Sequence, residues 1–168
     1  MERNESKGNR GKELGYVNAL CDHSSVSVDI GANLGIYSYL MRRHSKSVIA
    51  FEPNPFYANV VRRALKDVRV IEAAVSDREG TSVLRVPLTH MTGGMGTIEQ
   101  ENTLDCVPVQ EIKIPIVTID SLQLANAGFI KIDVEGHELA ALRGATATIE
   151  GSRPNFVIEA KERHRKMP

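Results

Sequence analysis

Residues 26–38 read Val-Ser-Val-Asp-Ile-Gly-Ala-Asn-Leu-Gly-Ile-Tyr-Ser, and no other stretch narrows the possible folds as far. A short apolar run containing one acid (Val26, Val28, Asp29, Ile30) passes into two glycines, Gly31 and Gly35. Ile36, Tyr37, Leu40 and Met41 then recur at helical spacing. The order is strand, tight turn, helix. Glycine suits such a turn because it accepts positive φ and, lacking Cβ, lets a ligand lie against the backbone. The following helix opens with unpaired N–H groups beside that ligand.

Spacing selects among ligands. A dinucleotide fingerprint, G-x-G-x-x-G, needs glycine where Asn33 and Ile36 stand. The pattern here is acid-x-Gly-x-x-x-Gly, with Asp29 just ahead of the turn, where a pyrophosphate would meet a like charge. Such an acid suits a ligand carrying positive charge. S-adenosyl-L-methionine carries a sulfonium and an ammonium, and the pattern is similar to the first motif of Rossmann-like methyltransferases. The competing explanation is a strand-to-helix turn whose glycines serve only close packing.

Composition narrows the class. The 168 residues, 42% hydrophobic and 25% charged, suit one globular domain with its own core. Residues 13–168 are expected to form that domain, with residues 1–12 a mobile polar arm. Lys+Arg and Asp+Glu both number 21, so no overall field favours nucleic acid or an anionic membrane. Cys21 and Cys106 have no metal spacing and need not pair, which points to a reduced, cytoplasmic setting. Neither an apolar leader nor a bilayer-length apolar run occurs in this sequence.

Further along, residues 47–51 (Ser-Val-Ile-Ala-Phe) form a second apolar run that ends on Glu52. An acid at the end of the strand after a glycine loop, about 20 residues on, is placed to accept hydrogen bonds from both ribose hydroxyls. Asn54 and Pro55 suit the cap and first turn of the next helix, whose expected apolar stripe is Tyr57, Val61, Ala64 and Leu65. Residues 68–77 and 82–86, joined by Arg78-Glu79-Gly80, suggest a hairpin. Small residues from Ala73 onward leave room for a flat adenine, with Asp77 a partner for its amino group. Residues 91–97, Met-Thr-Gly-Gly-Met-Gly-Thr, read as a flexible loop. A strand over 112–119 and a helical turn from Asp120 to Gly128 follow.

Residues 129–138, Phe-Ile-Lys-Ile-Asp-Val-Glu-Gly-His-Glu, carry the second strong signal. A strand delivers Asp133, Glu135, His137 and Glu138 to its end, and Leu139, Leu142, Ala145 and Ile149 then suggest one helix. Titratable groups gathered at a sheet rim suit acid/base chemistry. Asp133-x-Glu135-x-His137 also invites a metal reading, but no second ligand group accompanies it, so no metal is assigned. Asp133 and His137 are the candidate bases, with Glu135 orienting.

Six segments in order resemble the FkbM family of S-adenosylmethionine-dependent methyltransferases: residues 28–35, 51–54, 73–80, 118–122, 130–139 and 142–144. The resemblance implies an α/β, Rossmann-like, doubly wound, mostly parallel sheet in the order 3-2-1-4-5 with flanking helices. It implies S-adenosyl-L-methionine as cofactor and a hydroxyl acceptor on a sugar, polyketide or similar small molecule. By position, Asp29, Gly31, Asn33, Gly35 and Glu52 then belong to the cofactor, and residues 133–137 border the acceptor. The family's sheet continues past its fifth strand, whereas eight residues follow Ala160 here. The expectation is therefore a domain truncated after that strand, lacking the usual antiparallel pair, with 155–159 an exposed edge that pairs in a homodimer. A non-catalytic cofactor-binding module and an NAD-dependent oxidoreductase are the competing functions.

Overall fold

The computed structural model describes residues 13–88, 96–99 and 108–159. The proposed arm 1–12, residues 91–95 of the glycine-methionine loop, Cys106 and the tail from Ala160 lie outside them. The strands are β1 (Val26–Ile30), β2 (Ser47–Phe51), β3 (Val68–Ile71), β4 (Ala74–Val75), β5 (Gly80–Pro87), β6 (Val109–Val117), β7 (Ala127–Ile132) and β8 (Asn155–Ile158). The helices are α1 (Val17–Leu20), α2 (Ile36–Met41), α3 (Pro55–Ala64), α4 (Glu138–Arg143) and α5 (Thr146–Ser152).

Five strands make a parallel sheet in the order β3-β2-β1-β7-β8. This is the 3-2-1-4-5 order of a Rossmann-like α/β fold. Central strands β1, β2 and β7 are buried on both faces because helices or loops cover both, and the polar side chains they carry, Ser27, Asp29 and Lys131, are buried with them. One face packs Val28, Ile30, Phe51, Ile130 and Ile132 against Ala141 and Ala145. The other packs Val48, Ala50 and Phe129 against Val17, Met41, Val61 and Leu65. All five strands point the same way, so their carboxyl ends form one rim.

The crossover from β3 to β7 departs from the expected hairpin. β5 pairs antiparallel with β6, Gly80 opposite Ile116 through Pro87 opposite Val109, and β4 pairs parallel with the far end of β6. The result is a second, three-stranded sheet in the order β4-β6-β5, with Ala74, Leu84, Ile114 and Ile116 at its core. β3 is already held by β2, whereas β6 presents Ile112, Ile114 and Ile116 at strand spacing, the apolar face that Leu84 and Val86 need.

Three local expectations shift as well. On α3 the buried face is Ala58 and Val61, and Ala64 is exposed. Gly128 does not end the turn after Asp120: it is the extra residue where the register of β1 on β7 slips, and a Cβ there would meet Ser25 Oγ at 2.0 Å. The single helix expected after Glu138 is two, and Leu139 is exposed. The break has a cause: Asp120, distant in sequence, caps α5 by accepting from the Ala147 and Thr148 N–H groups and the Thr148 hydroxyl at 2.8–2.9 Å.

Candidate functional site

The glycine loop crosses the rim between β1 and β7. Gly31 adopts φ 77°, and a Cβ built there would lie 1.9 Å from the Asp133 carbonyl oxygen. Gly31 is thus required by the approach of two backbones before any ligand is considered. Gly35, φ 79°, lies directly before α2, and its Cβ would meet Val61 of α3 and Leu65 just past its end at 3.1–3.5 Å. Between them Asn33, at φ 51°, presents its backbone N–H to Glu52.

Glu52 stands at the end of β2 and is 6% exposed. Its Oε2 accepts from Asn33 N at 2.7 Å and its Oε1 from Asn54 N at 2.9 Å. Two backbone donors hold the carboxylate plane while each oxygen retains a lone pair. Burial pushes its pKa above the ordinary glutamate range, and the bonds from Asn54 and Asn33 oppose that shift. Glu52 lines a cleft with Gly31, Asn33, Tyr57, Asp133 and Glu135. A second, more apolar cleft is lined by Phe51, Ala73, Ala74, Val75, Val134 and His137. Gly31, Pro53, Leu84, Gly96 and Val134 line both, so the two are adjoining halves of one depression.

Asp29 reaches neither cleft. It is fully buried below the loop, where Oδ2 accepts from Ser38 Oγ at 2.6 Å and Oδ1 lies 3.4 Å from Lys131 Nζ. The positive charge beside Asp29 is therefore Lys131 of β7, 5% exposed, which also donates to the Gly31 carbonyl at 2.8 Å. Asp133 Oδ2 lies 3.8 Å from the same ammonium. The expected direct contact of Asp29 with a cofactor gives way to support of the loop from beneath. Such a pair resists change, since removing one partner leaves a buried charge uncompensated.

Residues 133–138 turn sharply after β7. Glu135 takes φ 50°, a strained region for a side chain of this kind, and its carbonyl accepts from Thr97 Oγ1 at 3.1 Å. The imidazole Nδ1 of His137 is 2.5 Å from Glu99 Oε1 and Nε2 is 2.9 Å from Ser76 Oγ. Glu99 is thus a carboxylate on the ring, and Glu135 lines the cleft with Glu52. Asp77 lies apart from both clefts, accepting from Ser76 and Arg78 in an outer cavity that it shares with Ser82, Glu99 and His137. Among the described residues no three His, Cys, Asp or Glu side chains converge as a metal-holding group. No described helix is long and apolar enough to cross a membrane.

Residues 29–167 match the model of the methyltransferase FkbM domain. The chain belongs to the FkbM methyltransferase family. Among curated relatives, this FkbM chain is 26% identical over 141 residues to the hexuronic acid methyltransferase AglP of Haloferax volcanii, covering 82% of the chain and 56% of that protein. It is 28% identical over 174 residues to the methyltransferase sdnD of Sordaria araneosa, covering 80% of the chain and 66% of that protein. The chain thus spans between half and two thirds of each relative's length. Its fold is that of the FkbM methyltransferase of Methylobacillus flagellatus (TM-score 0.58, 22% identity, 86% of this chain and 34% of that one). An rRNA methylase of Streptococcus thermophilus shares it more loosely (TM-score 0.50, 12% identity, 84% and 63%).

Sequence reasoning missed Glu99, Ser76 and Lys131. Lys131 carried a signal, a lone cation within an apolar strand. Glu99 and Ser76 carried none, because their roles arise from pairings across 38 and 61 residues.

Proposed function

We propose that this FkbM domain binds S-adenosyl-L-methionine and transfers its methyl group to a hydroxyl of a sugar, polyketide or similar small molecule. The observation that carries the reading is Glu52: a nearly buried carboxylate at the end of β2, fixed by two backbone N–H groups and lining the cleft, which leaves each oxygen a lone pair that a ribose diol could use. Gly31 and Asn33 line the same cleft and would border the ribose and amino-acid portions, and Ala73, Ala74 and Val75 offer an apolar wall to adenine. Bound there, the cofactor supplies an electrophilic methyl carbon on a sulfonium.

The protein's task is then positional, because in-line displacement depends on how well an acceptor oxygen is held. An alcohol also sheds a proton as it attacks, so a base within reach contributes. Asp133 is engaged by the Lys131 ammonium, whereas His137 faces both the apolar cleft and the outer cavity. That placement favours His137. The name of the Haloferax volcanii relative makes a hexuronic acid the first acceptor to try.

Calorimetric titration with S-adenosyl-L-methionine and with NAD tests the cofactor, and methyl transfer to a panel of sugar hydroxyls tests the reaction. Binding of NAD in preference, or tight cofactor binding with no transfer to any hydroxyl, would overturn the respective half of the proposal.

A further inference from the structure

We infer that Glu99 is a positioning residue for His137, holding the imidazole in the one tautomer that can accept a proton from an acceptor hydroxyl. The inference rests on the methyl-transfer reading above, and its argument begins with the ring. An ionised carboxylate only accepts hydrogen bonds, so at 2.5 Å from Glu99 Oε1 the Nδ1 of His137 must be the donor. In the neutral ring Nε2 then keeps its lone pair. Ser76, a residue 1% exposed, is compatible with this assignment: its hydroxyl lies 2.9 Å from Nε2 and 3.3 Å from Asp77 Oδ1, and turning its one proton from Asp77 to the nearer ring nitrogen supplies a donor to that lone pair.

Glu99 is itself held on two sides. Its backbone N–H donates to Thr97 Oγ1 at 3.1 Å, and that hydroxyl donates to the Glu135 carbonyl at 3.1 Å. The Arg85 guanidinium donates to the Glu99 carbonyl, and Arg85 and Thr97 exchange backbone hydrogen bonds at 3.0 and 3.1 Å. The Glu99 backbone is therefore tied both to β5 and to the turn that carries His137, which sets where its carboxylate starts from. Such a second layer is what keeps a reactive side chain within the narrow geometry catalysis needs.

The surroundings leave His137 the better placed base. Its neighbours in the outer cavity are Ser76, Asp77, Arg78 and Glu99, and Asp77 and Arg78 are paired with each other at 3.1 Å. Asp133, the other candidate, has its charge spoken for by the buried Lys131. In the transfer step the acceptor oxygen forms a bond to the methyl carbon, and the carbon–sulfur pair returns to sulfur. The hydroxyl proton passes to Nε2, in the place the Ser76 hydroxyl holds here. The imidazolium so formed lies against the Glu99 carboxylate, which stabilises the developing charge. In the serine-protease triad an acid holds the histidine in this way, and its amide replacement leaves the wrong tautomer.

The test uses the full-length protein and two readouts. Nitrogen-15 NMR of the His137 ring should report the Nδ1–H tautomer in the wild type and its loss in Glu99→Gln. In the same variant kcat should fall on the order of a hundredfold with affinity for S-adenosyl-L-methionine unchanged, and Glu99→Asp should recover part of the loss. An Nε2–H tautomer in the wild type overturns the inference whatever the activity. So does a Glu99→Gln variant with unimpaired kcat in a protein that transfers methyl groups. A wild type with the expected tautomer that methylates no hydroxyl instead overturns the methyl-transfer reading, and the base role falls with it.

Discussion

The two halves of the rim are built differently. Around β1 and β2, each functional group is fixed by its own strand or the one beside it: Gly31 against Asp133, Asn33 N on Glu52, Asp29 on Lys131. Around His137 the partners arrive from β4 and from the segment before β6, and nothing in the parallel sheet alone would bring Ser76 and Glu99 there. Changes in the first half should therefore disturb folding as well as binding. Changes in the second should disturb chemistry and leave the fold standing.

The largest effect expected is at Gly31. Alanine puts a Cβ 1.9 Å from the Asp133 carbonyl, backbone against backbone, at φ 77°. A loss of about 3 kcal/mol or more is expected in denaturant unfolding. Gly35→Ala meets only side chains of Val61 and Leu65, so its cost should be near the positive-φ penalty of about 1–2 kcal/mol. Equal losses at the two glycines would contradict the packing described for Gly31.

Lys131→Met comes next. It leaves Asp29 buried, with an Oδ1 that has no hydrogen-bond donor among the described residues, and should cost about 3–5 kcal/mol. Adding Asp29→Asn should return much of that stability. A double variant no more stable than Lys131→Met would mean that the cation supports the loop through the Gly31 carbonyl and not through Asp29.

Glu52→Ala should weaken S-adenosyl-L-methionine binding by roughly 1.5–3 kcal/mol, read by calorimetry, because the ribose loses a charged acceptor. Unchanged affinity would remove the ribose assignment. Glu52 also predicts a pH effect. Its pKa is raised in the folded state by burial, so its contribution to stability is fully present below the unfolded value and is lost as pH rises through the folded value. Relative to wild type, Glu52→Gln should therefore gain stability as pH climbs across the window just above the ordinary glutamate range. Cofactor affinity should run the opposite way in wild type, falling as acid protonates the carboxylate, and the variant should flatten that dependence.

The smallest effect concerns β8, whose outer side has no strand partner among the described residues. We propose that two copies pair there. Val157 packs into the core that holds Phe129, so lysine at 157 would damage the fold along with any edge pairing. Ile158, 40% exposed, is the better probe. Ile158→Lys should abolish concentration-dependent association in sedimentation while leaving thermal unfolding nearly unchanged. A wild type that stays monomeric at all concentrations would remove this edge as an interface.

The order of the parallel sheet was legible only through the resemblance to the FkbM family; the sequence by itself determined the glycine turn, Glu52 at the end of β2 and the arrival of Asp133 to His137 at the end of their strand. These depend on patterns within about 15 residues, where strand and helix periods and glycine punctuation act directly on the backbone. Only the tertiary structure decided that Asp29 serves Lys131 and Ser38, that β5 pairs with β6, and that Glu99 and Ser76 hold His137. The physical reason is the same in each case. A buried charge or a ring nitrogen takes whichever complementary group the packing brings within about 3 Å, and no local period encodes which distant residue that will be.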